Sequence, residues 1–111
     1  EFVATLGEIY RCLKPGGLFS FTVPDFDWFV RAYLKQENLS ERRPDSYTDE
    51  EWVLFSIFGH QDGPGQVHKW GWNAGRLELE LTKHPWSSVS LKSRVSCDEK
   101  LENHLWYHCC K

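Results

Sequence analysis

The chain has no methionine, not even at position 1, in a length of 111 residues. Its first residues already follow a helical pattern, so we expect it to be a piece of a larger domain. No apolar stretch approaches the length of a membrane span, and we predict no membrane partner. The formal net charge is −3, which gives no general attraction to nucleic acid.

Cysteines at metal-ligand spacing are also missing. The four cysteines, Cys12, Cys97, Cys109 and Cys110, include no C-x-x-C pair. We expect free thiols and therefore a reducing compartment, which indicates the cytoplasm.

A histidine and cysteine cluster near the C-terminus invites a metal interpretation. On a strand, His104, His108 and Cys110 would share a face. Their spacing is not that of known zinc sites, so we predict no metal.

The sequence lacks a glycine-rich phosphate-binding turn as well. Gly63-Pro64-Gly65 leads to His68 where G-x-G-x-x-G needs a third glycine, and no predicted strand precedes it. Nor is there a P-loop. The chain therefore offers no nucleotide-binding motif of its own.

Aromatic residues, in contrast, are abundant. The chain contains six Trp and seven Phe, and 41% of its residues are hydrophobic. Rings this numerous must bury large areas or leave adhesive surface patches.

Helical periodicity predicts two helices in the first third of the chain. Their apolar stripes are Phe2, Leu6, Ile9 and Leu13 in the first, and Phe26, Phe29, Val30, Tyr33 and Leu34 in the second. The turn 14–17, Lys-Pro-Gly-Gly, ends the first helix, and Asp25 can cap the second.

Two more helices are predicted further along. Thr48 and Glu51 form a capping box before the run 52–58, which is apolar nearly all round. Asn73 can cap a helix that runs to about Lys83. In this last segment Leu and Glu alternate over 77–81, which is a strand pattern, so periodicity alone leaves helix and strand open.

Three segments are typical of strands. Leu18–Val23 is short and apolar, as in a buried strand, while Ser87–Val95 and His104–Cys110 alternate. Polar segments connect the elements: a mobile loop at 36–47 that includes Arg42 and Arg43, a Gly- and His-rich loop at 59–71, and a hairpin loop at 98–103. Mixed helices and strands predict an α/β fold around a three-stranded sheet with about four helices.

One segment resembles class I methyltransferases. The run 8–19, Glu-Ile-Tyr-Arg-Cys-Leu-Lys-Pro-Gly-Gly-Leu-Phe, is followed by Val23-Pro24-Asp25-Phe26. In that family a helix ends in a Leu-Lys-Pro-Gly-Gly turn and feeds the fifth, central strand. The turn reverses the chain within four residues, and its two glycines permit this.

A second segment is similar to a type 11-like subgroup of predicted methyltransferases. It comprises Phe58-Gly59-His60-Gln61 and 68–73, His-Lys-Trp-Gly-Trp-Asn, with Leu77 and Leu81. The sequence departs from the subgroup at His60 and at Pro85-Trp86, where Gly and Gly-Phe are usual. The first departure puts the local turn geometry in doubt.

The resemblance implies a fold and a function for the whole of 1–111. It implies the C-terminal part of a single Rossmann-like methyltransferase domain, with 73–83 as a helix. The sheet would be mixed, with Leu18–Val23 in the middle of mostly parallel strands and the last two strands forming a closing antiparallel pair. S-adenosylmethionine would be the cofactor of the full-length protein, and none would bind to this chain, because the family binds it through earlier strands.

The resemblance also indicates site residues. His68 is the candidate general base for a small-molecule or still unknown methyl acceptor. The candidate substrate-binding residues are Asp25, Phe26, His60, Gln61, Lys69 and Trp70. Structural roles stay open beside these: His68 as a loop histidine bonded to backbone, Asp25 as a helix cap, and His60 and Gln61 as turn residues.

Two other functions remain open from the sequence, a non-catalytic binding or assembly module derived from the same fold and a natural pseudoenzyme. A sheet edge left bare by the absence of earlier strands would recruit another chain. We therefore expect a homo-oligomer that covers this edge or the apolar helix 48–58.

Overall fold

The structure is a computed structural model that describes residues 2–35, 46–95 and 103–111. Most of the predicted mobile loop at 36–47, with Arg42 and Arg43, lies outside the described residues. The same holds for Cys97 and for most of the predicted hairpin loop at 98–103.

The described residues form four helices and three strands in the predicted order. The helices are α1 (Phe2–Cys12), α2 (Phe26–Lys35), α3 (Asp49–Phe58) and α4 (Ala74–Leu81), and the strands are β1 (Leu18–Pro24), β2 (Ser88–Val95) and β3 (His104–Cys110). The segment that periodicity left open is helical, and it ends two residues before the predicted Lys83.

Local side-chain contacts explain where the helices begin. Thr48 accepts a hydrogen bond from the backbone N–H of Glu51, whose carboxylate accepts one from the N–H of Thr48, so the predicted capping box is confirmed. Asn73 accepts from the N–H of Arg76 at 2.9 Å. Asp25 Oδ1 accepts from the N–H of Asp27 at 3.2 Å, which confirms the predicted cap of α2.

The sheet has the order β1-β3-β2, and both neighbouring pairs are antiparallel. The predicted closing antiparallel pair is confirmed in β2 and β3, but the expectation of a mixed sheet is wrong for the described strands. The reason is geometric: β1 and β2 run the same way, yet β3 lies between them and opposes both. A parallel neighbour would have to lie on the outer side of β1, where none of the described strands is found.

β1 is an edge strand among the described strands, and the expectation that its residues are buried is wrong. Its side chains alternate in exposure, and Leu18 is 52% exposed. Phe19, Phe21 and Val23 pack inward against the core. The alternation follows because only one face of the strand is covered by the core.

The main core lies between the sheet and two helices. Leu105, Tyr107 and Cys109 alternate inward along β3, as predicted. The helices contribute Leu6 from α1, and Leu77 and Leu81 from α4. A second cluster joins α2 to α3 through Phe29, Ala32 and Val53. No helix among the described residues has both the length and the apolarity needed to cross a membrane.

Helix α3 is less buried than its composition would allow. Val53 is its one buried residue, whereas Leu54 is 43% and Phe58 52% exposed. An apolar face of α3 is therefore open to solvent in the isolated chain.

Candidate functional site

The predicted site residues meet where the segment 68–72 crosses the C-terminal end of β1. The N–H of His68 donates to the carbonyl of Phe58 at 2.9 Å, which ties the segment to the end of α3. The N–H of Phe26 donates to the carbonyl of Trp72 at 2.9 Å, and Asp25 forms a parallel bridge with Trp72. The segment is thus fixed at both ends, on α3 and on the start of α2.

A tight turn after α3 makes this crossing possible. Gly59 has φ 81°, and its N–H donates to the carbonyl of Phe55 at 2.8 Å. A Cβ on Gly59 would lie 1.8 Å from the carbonyl oxygen of Gln66, so a side chain is excluded there. The departure from the subgroup at His60 put the geometry of this turn in doubt. In the structure the next residue, Gln61, has a positive φ of 60°.

His68 is held by the backbone of α3. Its Nδ1 lies 3.1 Å from the carbonyl oxygen of Ser56. A carbonyl only accepts, so Nδ1 carries the proton in this contact, and in the neutral ring Nε2 is the basic nitrogen. The interpretation of His68 as a loop histidine bonded to backbone is confirmed. That bond also fixes the ring orientation in the way a general base requires.

A cavity of about 150 Å³ brings three of the predicted residues together. Phe26 lines it from α2, and His68 and Trp70 line it from the segment 68–72. Phe29, Ile57 and Trp72 complete most of the apolar wall. Trp70 is 63% exposed and stands at the rim.

A wider cavity of about 550 Å³ adjoins the first and holds His60. It is also lined by Pro24, Phe29 and His68, which both cavities share in their walls. The His60 ring stacks on Phe55, with centroids 5.1 Å apart and planes at 16°. His60 is therefore both a turn residue and part of a cavity wall.

Lys69 lines two openings. It shares a shallow groove of about 300 Å³ with His68 and Trp70. It also lines a groove of about 800 Å³ together with Trp70, Arg76 and Glu80. Arg76 lies 2.7 Å from Glu80, and Lys83 donates a hydrogen bond to the same carboxylate. That hydrogen bond is the main cause that lowers the pKa of Glu80 below its ordinary value. The larger groove is thus charged, unlike the cavity beside His68.

Three predicted site residues, Asp25, Gln61 and Lys69, do not line either the 150 Å³ or the 550 Å³ cavity beside His68. Asp25 is buried, and its carboxylate caps α2 and lies 4.0 Å from Arg31, which gives it a structural role. Gln61 lies in the turn that precedes the site.

Several lining residues were not predicted from the sequence. Trp72 stands inside the segment that carried the second resemblance, so its position beside His68 and Trp70 was a usable signal. Phe29 and Ile57 belong to apolar helical patterns and are indistinguishable in sequence from core residues. The carbonyl of Ser56 left no signal at all, because any residue type supplies a backbone carbonyl.

The C-terminal histidines are engaged in other contacts. Nδ1 of His104 lies 2.7 Å from Oδ1 of Asn103, and the ring of His108 meets Trp106 edge to face at 5.0 Å. Across the described ranges 2–35, 46–95 and 103–111, no three His, Cys, Asp or Glu side chains group as metal ligands do.

Comparison of the chain with family models, with curated proteins and with solved structures gave no significant match. The site is therefore interpreted from its own geometry.

Proposed function

We propose that this chain is the C-terminal, acceptor-side part of an S-adenosylmethionine-dependent methyltransferase domain, whose cofactor-binding half lies in other residues. The observation that carries the proposal is the 150 Å³ cavity. There Phe26, the first residue of α2 and part of the first motif, lines the same cavity as His68 and Trp70 of the second motif. Two separate stretches of resemblance thus converge on one site.

The sheet supports the proposal at a coarser level. The Leu-Lys-Pro-Gly-Gly turn, with Gly16 at φ 76°, delivers the chain into β1. The outer edge of β1 has no neighbour among the described strands, which leaves room for the preceding strand of such a domain. Ligands of open α/β sheets bind at the carboxyl ends of strands, and the cavity lies at that end of β1.

The chemistry that this chain would supply is proton transfer and positioning. His68 can take a proton from an acceptor hydroxyl through Nε2, because Nδ1 is occupied by the Ser56 carbonyl. The surrounding rings would orient the acceptor through ring contacts.

The described residues do not fit the cofactor itself. A cofactor site of this family needs a glycine-rich turn directly after a strand, whereas β1 is followed by Asp25 and α2. The turn at Gly63–Gly65 follows α3 instead of a strand. We therefore derive no step that involves the cofactor from this chain.

The full-length transcript and its product test the proposal. We expect an upstream strand that ends in glycines, an acidic residue after the next strand, and transfer of labelled methyl groups from S-adenosylmethionine by the full-length protein. Replacing His68 with Ala should abolish most of this transfer. A full-length protein without the upstream strand and without transfer would favour the non-catalytic binding or assembly module instead. Tight calorimetric binding of S-adenosylmethionine by residues 1–111 alone would also contradict the proposal.

A further inference from the structure

We propose that the 150 Å³ cavity binds a single uncharged aromatic ring that carries a hydroxyl group, a simple phenol, with the hydroxyl directed at Nε2 of His68. The inference rests on the proposed function only in naming the phenol as the methyl acceptor. The binding itself is a property of this chain.

The size of the cavity sets the size of the ligand. A protein cavity of about 150 Å³ lined by Leu, Ile and Phe holds one benzene molecule. The cavity beside His68 has about the same volume, although it is open to solvent on the side of His68 and Trp70. One six-membered ring therefore fits, whereas a fused bicyclic ring would have to extend into the adjoining cavity.

The wall composition sets the charge of the ligand. Phe26, Phe29, Trp70, Trp72 and Ile57 surround the space, which suits tilted and edge-to-face ring contacts. No Asp, Glu, Lys or Arg is found among the described residues that line it. A charged ligand would lose part of its hydration against these rings and find no charged partner among them, so carboxylates and ammonium groups are disfavoured as ligands.

His68 sets the position of the polar group. Its Nδ1–H is committed to the Ser56 carbonyl, so the neutral ring presents Nε2 as an acceptor. A phenol O–H donates to such a nitrogen, and the same contact places the proton where a general base would take it. A ring without the hydroxyl forfeits this bond, which at the usual net strength of a hydrogen bond weakens binding roughly threefold to tenfold.

The test uses residues 1–111 at neutral pH and four probes: phenol, toluene, benzoate and benzylammonium, of which the last two are charged at that pH. Binding is followed by shifts of the Trp indole N–H signals in two-dimensional NMR. We expect phenol to shift the Trp70 and Trp72 signals saturably, toluene to bind roughly threefold to tenfold more weakly, and benzoate and benzylammonium to leave both signals unchanged. His68→Ala should bind phenol no better than toluene. The matched control is His108→Ala, which removes an imidazole on β3 and should keep the preference for phenol.

Several outcomes would overturn the inference. They are absence of saturable shifts with phenol, binding of benzoate or benzylammonium as tight as that of phenol, or a preference for phenol that survives in His68→Ala. The backbone amide spectrum of each variant establishes that the fold is retained.

Failure of the two proposals can be told apart. Phenol binding by residues 1–111 without methyl transfer by the full-length protein keeps this inference and overturns the proposed function. Methyl transfer without phenol binding keeps the proposed function and overturns this inference.

Discussion

The hydroxyl of Tyr107 donates a 2.7 Å hydrogen bond to Oε1 of Glu78, and so joins the central strand β3 to α4. Tyr107 is fully buried in the main core. Helix α4 begins directly after the segment that carries His68 and Trp72. This bond therefore holds the helix that anchors one end of the candidate site.

Replacing Tyr107 with Phe tests this anchor. The ring still fills its place in the core, and the exposed Glu78 carboxylate can bind water instead, so we expect the free energy of unfolding to fall by about 0.5–1.5 kcal/mol. Urea denaturation followed by fluorescence measures the change. The control is Glu78→Gln, which keeps an acceptor for the hydroxyl and should cost less. A Tyr107→Phe variant as stable as the parent would contradict this role.

Gly59 should not tolerate alanine. Its φ of 81° is strained for any L-residue, and the added Cβ would meet the carbonyl of Gln66. We expect Gly59→Ala to lower the free energy of unfolding by more than about 2 kcal/mol and to displace His68 from Ser56. Gly75→Ala is the matched control, since a Cβ there meets nothing within 4 Å and Gly75 lies in a helix. The control should be neutral or slightly stabilising. Equal effects of the two substitutions would refute the argument.

The cysteines should differ sharply in reactivity. Burial, with a smaller contribution from Cys110, raises the pKa of the Cys109 thiol to about 11 from an ordinary 9.0. That difference lowers its thiolate fraction about a hundredfold at neutral pH. Cys12 is exposed. We expect iodoacetamide at pH 8, with peptide mapping, to label Cys12 readily and Cys109 only after unfolding. Labelling of both at similar rates in the folded protein would contradict the packing of β3.

The stability of the protein should depend on Glu80 in acid. The hydrogen bond from Lys83 lowers the pKa of Glu80 in the folded state, so its stabilising effect is complete above the ordinary carboxyl pKa. The effect is lost as the pH falls through the lowered value. We expect Glu80→Gln to reduce Tm at pH 7 and to flatten the decline of Tm below about pH 4.5. Glu8→Gln, which breaks an exposed pair with Arg11, is the control and should leave the curve nearly unchanged. Matching curves for the parent and Glu80→Gln would refute the role of this pair.

The sequence predicted the structure best where an element depends on residues that are close together along the chain. The box of Thr48 and Glu51, the cap at Asn73 and the alternation along β3 are local patterns, and each predicted its element correctly. The predicted burial of β1 was wrong, because exposure depends on whether both faces of the sheet are covered, and the residues of the strand do not record that. Within the site, His68 and Trp70 were predicted. The contact between His68 and the Ser56 carbonyl was not, because it depends on how the loop after α3 folds back onto that helix.

Among residues 2–35, 46–95 and 103–111, the outer edge of β1 has a defined set of backbone groups without a strand partner. Asp25 donates its N–H to Asn103, and Lys111 donates its N–H to Gly17, so residues 17 and 25 face β3 at the two ends of the strand. Hydrogen-bonded positions alternate in an antiparallel pair, so the N–H groups of Ser20 and Thr22 face outward. Pro24, which has no N–H, occupies the same outward set. This edge is open to pairing with a second chain.

We therefore predict that residues 1–111 form a homodimer through this edge. Light scattering should give twice the chain mass, and Thr22→Pro should give the monomer, because it removes an outward N–H at a position equivalent to that of Pro24. Far-UV circular dichroism establishes that the variant is folded. If the open face of α3 is the interface instead, Leu54→Lys will dissociate the dimer and Thr22→Pro will not. A parent chain that is monomeric at all concentrations tested would refute both versions, since neither the bare edge nor the apolar helix would then recruit a partner.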